Sequence, residues 1–207
     1  MFAHRGDHSR PKEENTLAAF RRSMRRMDGF ECDVRLSRDG VPVVIHDSTL
    51  ARTHGIRRRV DHMSVKELNE LKVPTLEATL ALLSTQKSKR AILDLKVSEI
   101  PLIRKTNHIA RRLGVDMNAL TFIVWNRMAS APPTRATVLR AVGYSFRTCH
   151  HHVDGIACKY DGSVENRRCI ERALDEGLNV NLWPPNPRKI NEMAELYGNR
   201  CTLTVGM

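Results

Sequence analysis

Aromatic residues make up only 5% of this 207-residue chain, and none are interleaved with its basic runs. A surface that stacks nucleic-acid bases needs such interleaving, so nucleic acid is disfavoured as a partner. Cysteine is sparse: Cys32, Cys149, Cys158, Cys169 and Cys201 form no C-x-x-C pair. An odd, dispersed set argues against a disulfide framework and a zinc site, and fits a reducing compartment. No apolar stretch approaches a membrane span, and the opening Met-Phe-Ala-His-Arg-Gly lacks the apolar core of a secretory signal. The expectation is a cytoplasmic protein. Repeats, low-complexity tracts and linkers are missing too, so residues 1–207 read as one domain.

Positive charge is abundant. Against 23 Asp and Glu stand 34 Lys and Arg, a formal net charge of +11. Such a balance attracts anionic partners: phosphorylated small molecules first, an anionic membrane surface second. Much of it lies in the runs 21–26, 57–59 and 87–90, which also suit solvated faces and loops.

Hydrophobic periodicity predicts strands alternating with helices. Phe2 to His4 ends a short strand, and Asn15 or Thr16 caps a helix carrying Leu17, Phe20, Met24 and Met27 at helical spacing. Phe30 to Leu36 alternates in period two, and a turn at Arg38-Asp39-Gly40 leads to a second strand over Val41 to His46. A Ser64–Glu67 capping box opens a helix to Leu71, and another helix covers Thr75 to Leu83. Further strands are expected at Ala91–Lys96, Leu120–Trp125, near Tyr144, at Gly155–Cys158, Leu178–Trp183 and Cys201–Val205. Helices are expected at Ile100–Leu113, Thr134–Val142, Val164–Glu176 and Arg188–Tyr197. About eight such units argue for a compact (β/α)8 TIM barrel, with a doubly wound open sheet as the alternative.

Glu31 and Asp33 are two apart on one strand, so their side chains leave the same face, and Asp94 with Lys96 repeats that geometry. Three carboxylates converging at a barrel mouth need a cation, and oxygen donors favour Mg²⁺ or Ca²⁺. His4 and His46 also fall at strand ends, where one can take a proton and the other give one. Arg5 and Lys96 can neutralise phosphate oxygens as charge builds. The parts suit phosphodiester cleavage.

Several stretches resemble the glycerophosphodiester phosphodiesterases: His4-Arg5-Gly6, Glu14-Asn15-Thr16, Glu31-Cys32-Asp33-Val34, Asp39 to Val44 and His46-Asp47. Leu50, Arg52 and Thr53, then Pro74-Thr75-Leu76-Glu77, continue the match, with a later echo in Asp154-Gly155-Ile156, Gly177 to Val180 and Trp183. The resemblance implies a metal-dependent hydrolase of the phospholipase-C-like barrel type, releasing glycerol 3-phosphate and an alcohol. It implies His4 and His46 as the acid/base pair, Glu31, Asp33 and Asp94 as metal ligands, and Arg5 and Lys96 on the substrate phosphate. Glu14 and Asp47 would support the site from behind, and Trp125 and Trp183 are candidate pocket residues. Lysophospholipase D chemistry is the near alternative; an inactive phosphate-ester-binding module is the distant one.

This chain departs from the family pattern at Asp94, where Glu is usual and one methylene of reach is lost. Pro184-Pro185 follow Trp183 in place of Thr and Val, the terminal Thr-Asp-x-Pro is missing, and no large insertion separates His46 from Leu76. A more open mouth is expected. His8 and the triplet His150-His151-His152 are weaker site candidates, while His54, His62 and His108 read as surface.

Overall fold

A computed structural model describes residues 1–96, 99–125, 134, 136–142, 153–183 and 188–206. The strands, in chain order, are β1 (Phe2–Ala3), β2 (Gly29–Leu36), β3 (Pro42–Val44), β4 (Thr49–Leu50), β5 (Ile56–Arg59), β6 (Arg90–Leu95), β7 (Leu120–Val124), β8 (Thr137–Val142), β9 (Gly155–Lys159), β10 (Asn179–Trp183) and β11 (Thr202–Val205). The α-helices are α1 (Leu17–Met24), α2 (Ala51–His54), α3 (Val65–Glu70), α4 (Leu76–Ser84), α5 (Glu99–Arg112), α6 (Val164–Asp175) and α7 (Arg188–Tyr197).

β1 pairs in parallel with both β11 and β2, and β6 through β11 fill the circuit, so eight parallel strands close into a barrel. Closure leaves no edge in that ring. Period-two alternation sorts the side chains. Ile92, Ile123, Leu139 and Ala157 point inward with Phe2, while Phe30, Cys32, Leu93 and Phe122 point outward against Phe20 of α1, Leu80 of α4 and Leu102 of α5. A second outer core joins Ile156, Val180 and Leu203 to Ile170 of α6 and Met193 of α7. At the barrel floor, Gly29 and Gly155 face the neighbouring chain so closely that a Cβ would lie 1.9 Å from the Arg90 and Asn179 carbonyl oxygens. Only glycine permits that approach.

The segment between β2 and α4 builds its own small core. β3 runs antiparallel to β2, β4 and β5 form a hairpin, and Val43, Ile45, Leu50, Val60, Met63, Leu68 and Val73 are buried together. The Ser64–Glu67 capping box and the Thr16 cap form as expected.

One element differs. The helix expected over Thr134–Val142 is strand β8, hydrogen-bonded to β7 and β9 on its two sides. A short strand buried on both faces has no period-two signature, since Val138 and Leu139 pack on opposite walls. The strand expected near Tyr144 lies outside the described residues. No helix among the described residues is long and apolar enough to cross a membrane.

Candidate active site

Register brings the acids together. Asp33 of β2 pairs level with Asp94 of β6, and Glu31 lies two residues earlier on the same inner face. One carboxylate oxygen from each lies within 4.8 Å of the others, and all three residues are buried. Two basic side chains already touch the cluster. Lys96 Nζ contacts Asp94 Oδ2 at 2.6 Å and Asp33 Oδ1 at 3.1 Å, and Arg5 Nε lies 3.3 Å from Asp33 Oδ2.

Burial pushes the Glu31 carboxyl well above its usual pKa, and the Asp33 and Asp94 charges add to the shift. Asp94 is raised as well, mainly by burial. Asp33 goes down: burial opposes ionisation, but Lys96, Arg5, His46 and an Asn15 hydrogen bond outweigh it. The cluster is an oxygen-rich, buried site in which desolvation first, and the neighbouring carboxylates second, disfavour a charged Glu31.

Arg5 reaches this place through an uncommon backbone. Its φ is +56°, Gly6 follows at +80°, and Asn15 sits at +55°. These left-handed residues let the Arg5 N–H donate to Glu31 Oε2 at 2.9 Å, while its carbonyl accepts from the Asn15 N–H at 2.9 Å. Asn15, 3% exposed, clasps Asp33 twice: Nδ2 donates to Oδ2 at 2.8 Å, and Oδ1 accepts the Asp33 backbone N–H at 3.1 Å.

His4 and His46 line one cavity of about 300 Å³ with Arg5, Glu31, Asp94 and Lys96. Burial, then the Arg5 charge, hold the His4 pKa down at about 4. His46 Nδ1 lies 2.6 Å from Asp47 Oδ1. Arg52 then donates from Nε to Asp47 Oδ2 at 2.7 Å and forks onto both oxygens of Glu14, which Arg5 also contacts at 3.2 Å. One continuous chain of charged groups therefore runs from His46 to Arg5.

Trp125 and Trp183 line the same cavity, with Trp125 half exposed. Asp33 is brought to the cluster but not to the cavity wall; it is sealed beneath Lys96, Arg5 and Asn15. His8 bonds the Gly6 carbonyl and does not line this cavity. The His150–His152 triplet lies outside the described residues. His62 and His108 are exposed. His54 is not a plain surface residue: it is half-buried, its Nε2 lies 3.1 Å from the Leu71 carbonyl, and burial lowers its pKa.

Residue spacing alone did not single out Asn15, Arg52, Lys159 or Asn181. The last two were readable by parity, because Lys159 follows the inward Ala157 by two and Asn181 precedes Trp183 by two. Arg52 and Glu14 are 38 residues apart, and no local spacing announces their contact.

The family model described as the glycerophosphoryl diester phosphodiesterase family matches residues 4–110. A glycerophosphodiester phosphodiesterase of Caldanaerobacter subterraneus is 46% identical over 72 residues, which span 34% of this chain and 29% of that protein. The probable glycerophosphodiester phosphodiesterase 1 of Mycobacterium tuberculosis is 32% identical over 156 residues, 70% of this chain and 56% of that one. The chain thus spans little more than half the length of these relatives at most. Among solved structures, an Oleispira antarctica phosphodiesterase in complex with the product sn-glycerol-3-phosphate superposes with a TM-score of 0.72 at 19% identity, covering 99% of this chain and 91% of the other. That likeness speaks to the fold. The match over residues 4–110 includes both histidines, all three acids, Arg5 and Lys96, and by it the chain belongs to the glycerophosphoryl diester phosphodiesterase family.

Proposed function

We propose that this cavity hydrolyses glycerophosphodiesters to glycerol 3-phosphate and an alcohol, assisted by a divalent cation. The observation that carries the reading is the convergence of two histidines, two carboxylates and two basic side chains around one opening, with a third carboxylate, Asp33, beneath them.

Glu31, Asp33 and Asp94 fit a hard divalent ion such as Mg²⁺ or Ca²⁺: the donors are all oxygen, and three carboxylates with oxygens within 4.8 Å of one another repel, a repulsion that a cation would offset. Such an ion supplies Lewis-acid polarisation of a phosphate oxygen. Arg5 and Lys96 neutralise the remaining phosphate charge as it grows in the transition state.

His4 is neutral at physiological pH because burial and Arg5 disfavour its charged form, so its ring can accept a proton. Asp47 engages Nδ1 of His46, which leaves Nε2 as the nitrogen free to face substrate. The attacking hydroxyl passes its proton to one ring while the other ring, entering protonated, protonates the leaving alkoxide; where the substrate's own glycerol hydroxyl attacks, the cyclic phosphate it forms is then opened by water to glycerol 3-phosphate. Arg52 and Glu14 hold Asp47 and Arg5 in place without touching substrate.

The test is release of glycerol 3-phosphate from glycerophosphocholine with Mg²⁺ or Ca²⁺, run beside lysophosphatidylcholine. Cation-dependent turnover of the first supports the reading. Turnover of lysophosphatidylcholine alone moves the assignment to lysophospholipase D chemistry, and turnover of neither contradicts the hydrolase reading.

A further inference from the structure

The cavity has two unlike halves. On β1, β2 and β6 its wall carries Arg5, Glu31, Asp94 and Lys96. On β7, β9, β10 and β11 one formal charge lines it among the described residues, that of Lys159. Lys159 ends β9, two residues beyond the inward Ala157, so it projects from the inner face at the mouth. In the closed ring β9 stands four strands from β2 in either direction, which puts Lys159 diametrically across from Glu31 and Asp33.

Arg5 and Lys96 are both engaged with carboxylates, whereas Lys159 has no carboxylate partner among the described residues. Beside it, Asn181 donates through Nδ2 to Thr204 Oγ1 at 3.0 Å, while its buried Oδ1 has no hydrogen-bond partner among the described residues. That half of the cavity therefore offers an acceptor for a hydroxyl and a cation for a negative group.

It does not offer a good seat for choline. A quaternary ammonium needs open aromatic faces, yet Lys96 Nζ already lies over the Trp125 ring, 5.0 Å from its centroid. Lys159, level with Trp183 in the β9–β10 register, adds like-charge repulsion on the other side.

We propose that Lys159 is a specificity residue that selects glycerophosphodiesters whose alcohol carries its own negative charge, a phosphomonoester or a carboxylate. This rests on the hydrolase reading above: the bridging phosphate sits at the acid cluster, and the second anion reaches across the mouth to Lys159. The long-range field of an unpaired cation in a cleft acts on affinity and on encounter alike.

The experiment compares kcat/KM for glycerophosphodiesters of choline, glycerol, glycerate and glycerol phosphate, in the wild type, Lys159→Met and Lys159→Glu. The wild type should prefer the two anionic alcohols over choline by roughly tenfold or more. Lys159→Met should bring the four within a few-fold of one another, and Lys159→Glu should favour choline, with turnover of the neutral glycerol diester little changed. Preference for the phosphate alone would narrow the class to phosphomonoesters, and for the glycerate alone to carboxylates. An unchanged order across the three proteins overturns the proposal while leaving the hydrolase reading intact. Should no diester be turned over, the hydrolase reading fails, and calorimetric binding of the same four compounds decides this proposal by the same ratios.

Discussion

Trp125 donates its indole N–H to Asp94 Oδ1 at 2.6 Å, while Lys96 holds the other oxygen at 2.6 Å. The β2–β6 register sets Asp94 level with Asp33, and these two donors hold both of its oxygens. Groups that orient a ligand commonly matter to affinity nearly as much as the ligand does. Trp125→Phe, which keeps the ring and removes the donor, should weaken Mg²⁺ or Ca²⁺ binding by about tenfold in calorimetry. Unchanged affinity would show that Asp94 needs no such support.

Arg52 forks onto Glu14, with Nη2 to Oε1 at 2.6 Å and Nη1 to Oε2 at 2.9 Å. The Glu14 side chain is 5% exposed, so removing its main partner leaves a buried carboxylate facing Arg5 alone. Arg52→Leu should destabilise the protein by about 1–3 kcal/mol in urea denaturation. Arg52→Lys should recover little, because an ammonium cannot match both oxygens. Turnover should fall too, since Asp47 loses the anchor that orients His46.

Acid should unfold the protein partly through this same chain of charges. Burial raises the Asp47 carboxyl, but its bonds to Arg52 and His46 outweigh that and bring it down to about 2. Glu14 is lowered in the same way, Arg52 and Arg5 overcoming burial. Folded values below the unfolded ones mean stability that is present above the ordinary values of 3.8 and 4.5 and is lost as pH falls below them towards 2. Urea midpoints measured from pH 5 to pH 2.5 should drop more steeply in the wild type than in Arg52→Leu. Parallel curves would remove the network from the account.

Glu31 sets a different pH dependence. Burial and its acidic neighbours raise its pKa, so a cation entering the cluster must compete with a proton. Cation affinity should therefore rise with pH, with proton release visible as a heat that changes between buffers of different ionisation enthalpy. Glu31→Gln should weaken binding and lower the proton release, any remainder coming from Asp94, whose carboxyl burial also raises. Release undiminished by this substitution would place the proton elsewhere.

Much of the barrel was legible in the chain because its strands carry period-two signals with chemical consequences. Glu31 and Asp33 share a face by spacing alone, as do Asp94 and Lys96, and the register of β2 with β6 completes their meeting. The Ser64–Glu67 capping box is local and was equally readable. β8 was not, because consecutive residues Val138 and Leu139 are both buried, on opposite walls, and such a short run looks alike as helix or strand. The depth of Asp33 was also hidden: its sealing by Asn15 and Arg5 depends on left-handed backbone at both residues, and neither is glycine. Arg52 belongs to the same class of contact, made between segments far apart in the chain.

The most direct test of the two-histidine site is the rate of cation-dependent glycerol 3-phosphate release from a glycerophosphodiester by His4→Ala and His46→Ala, with cation binding measured on the same samples. The account predicts a loss of at least about a hundredfold in kcat for each variant, with calorimetric cation binding retained. Near-wild-type turnover in both variants would contradict it.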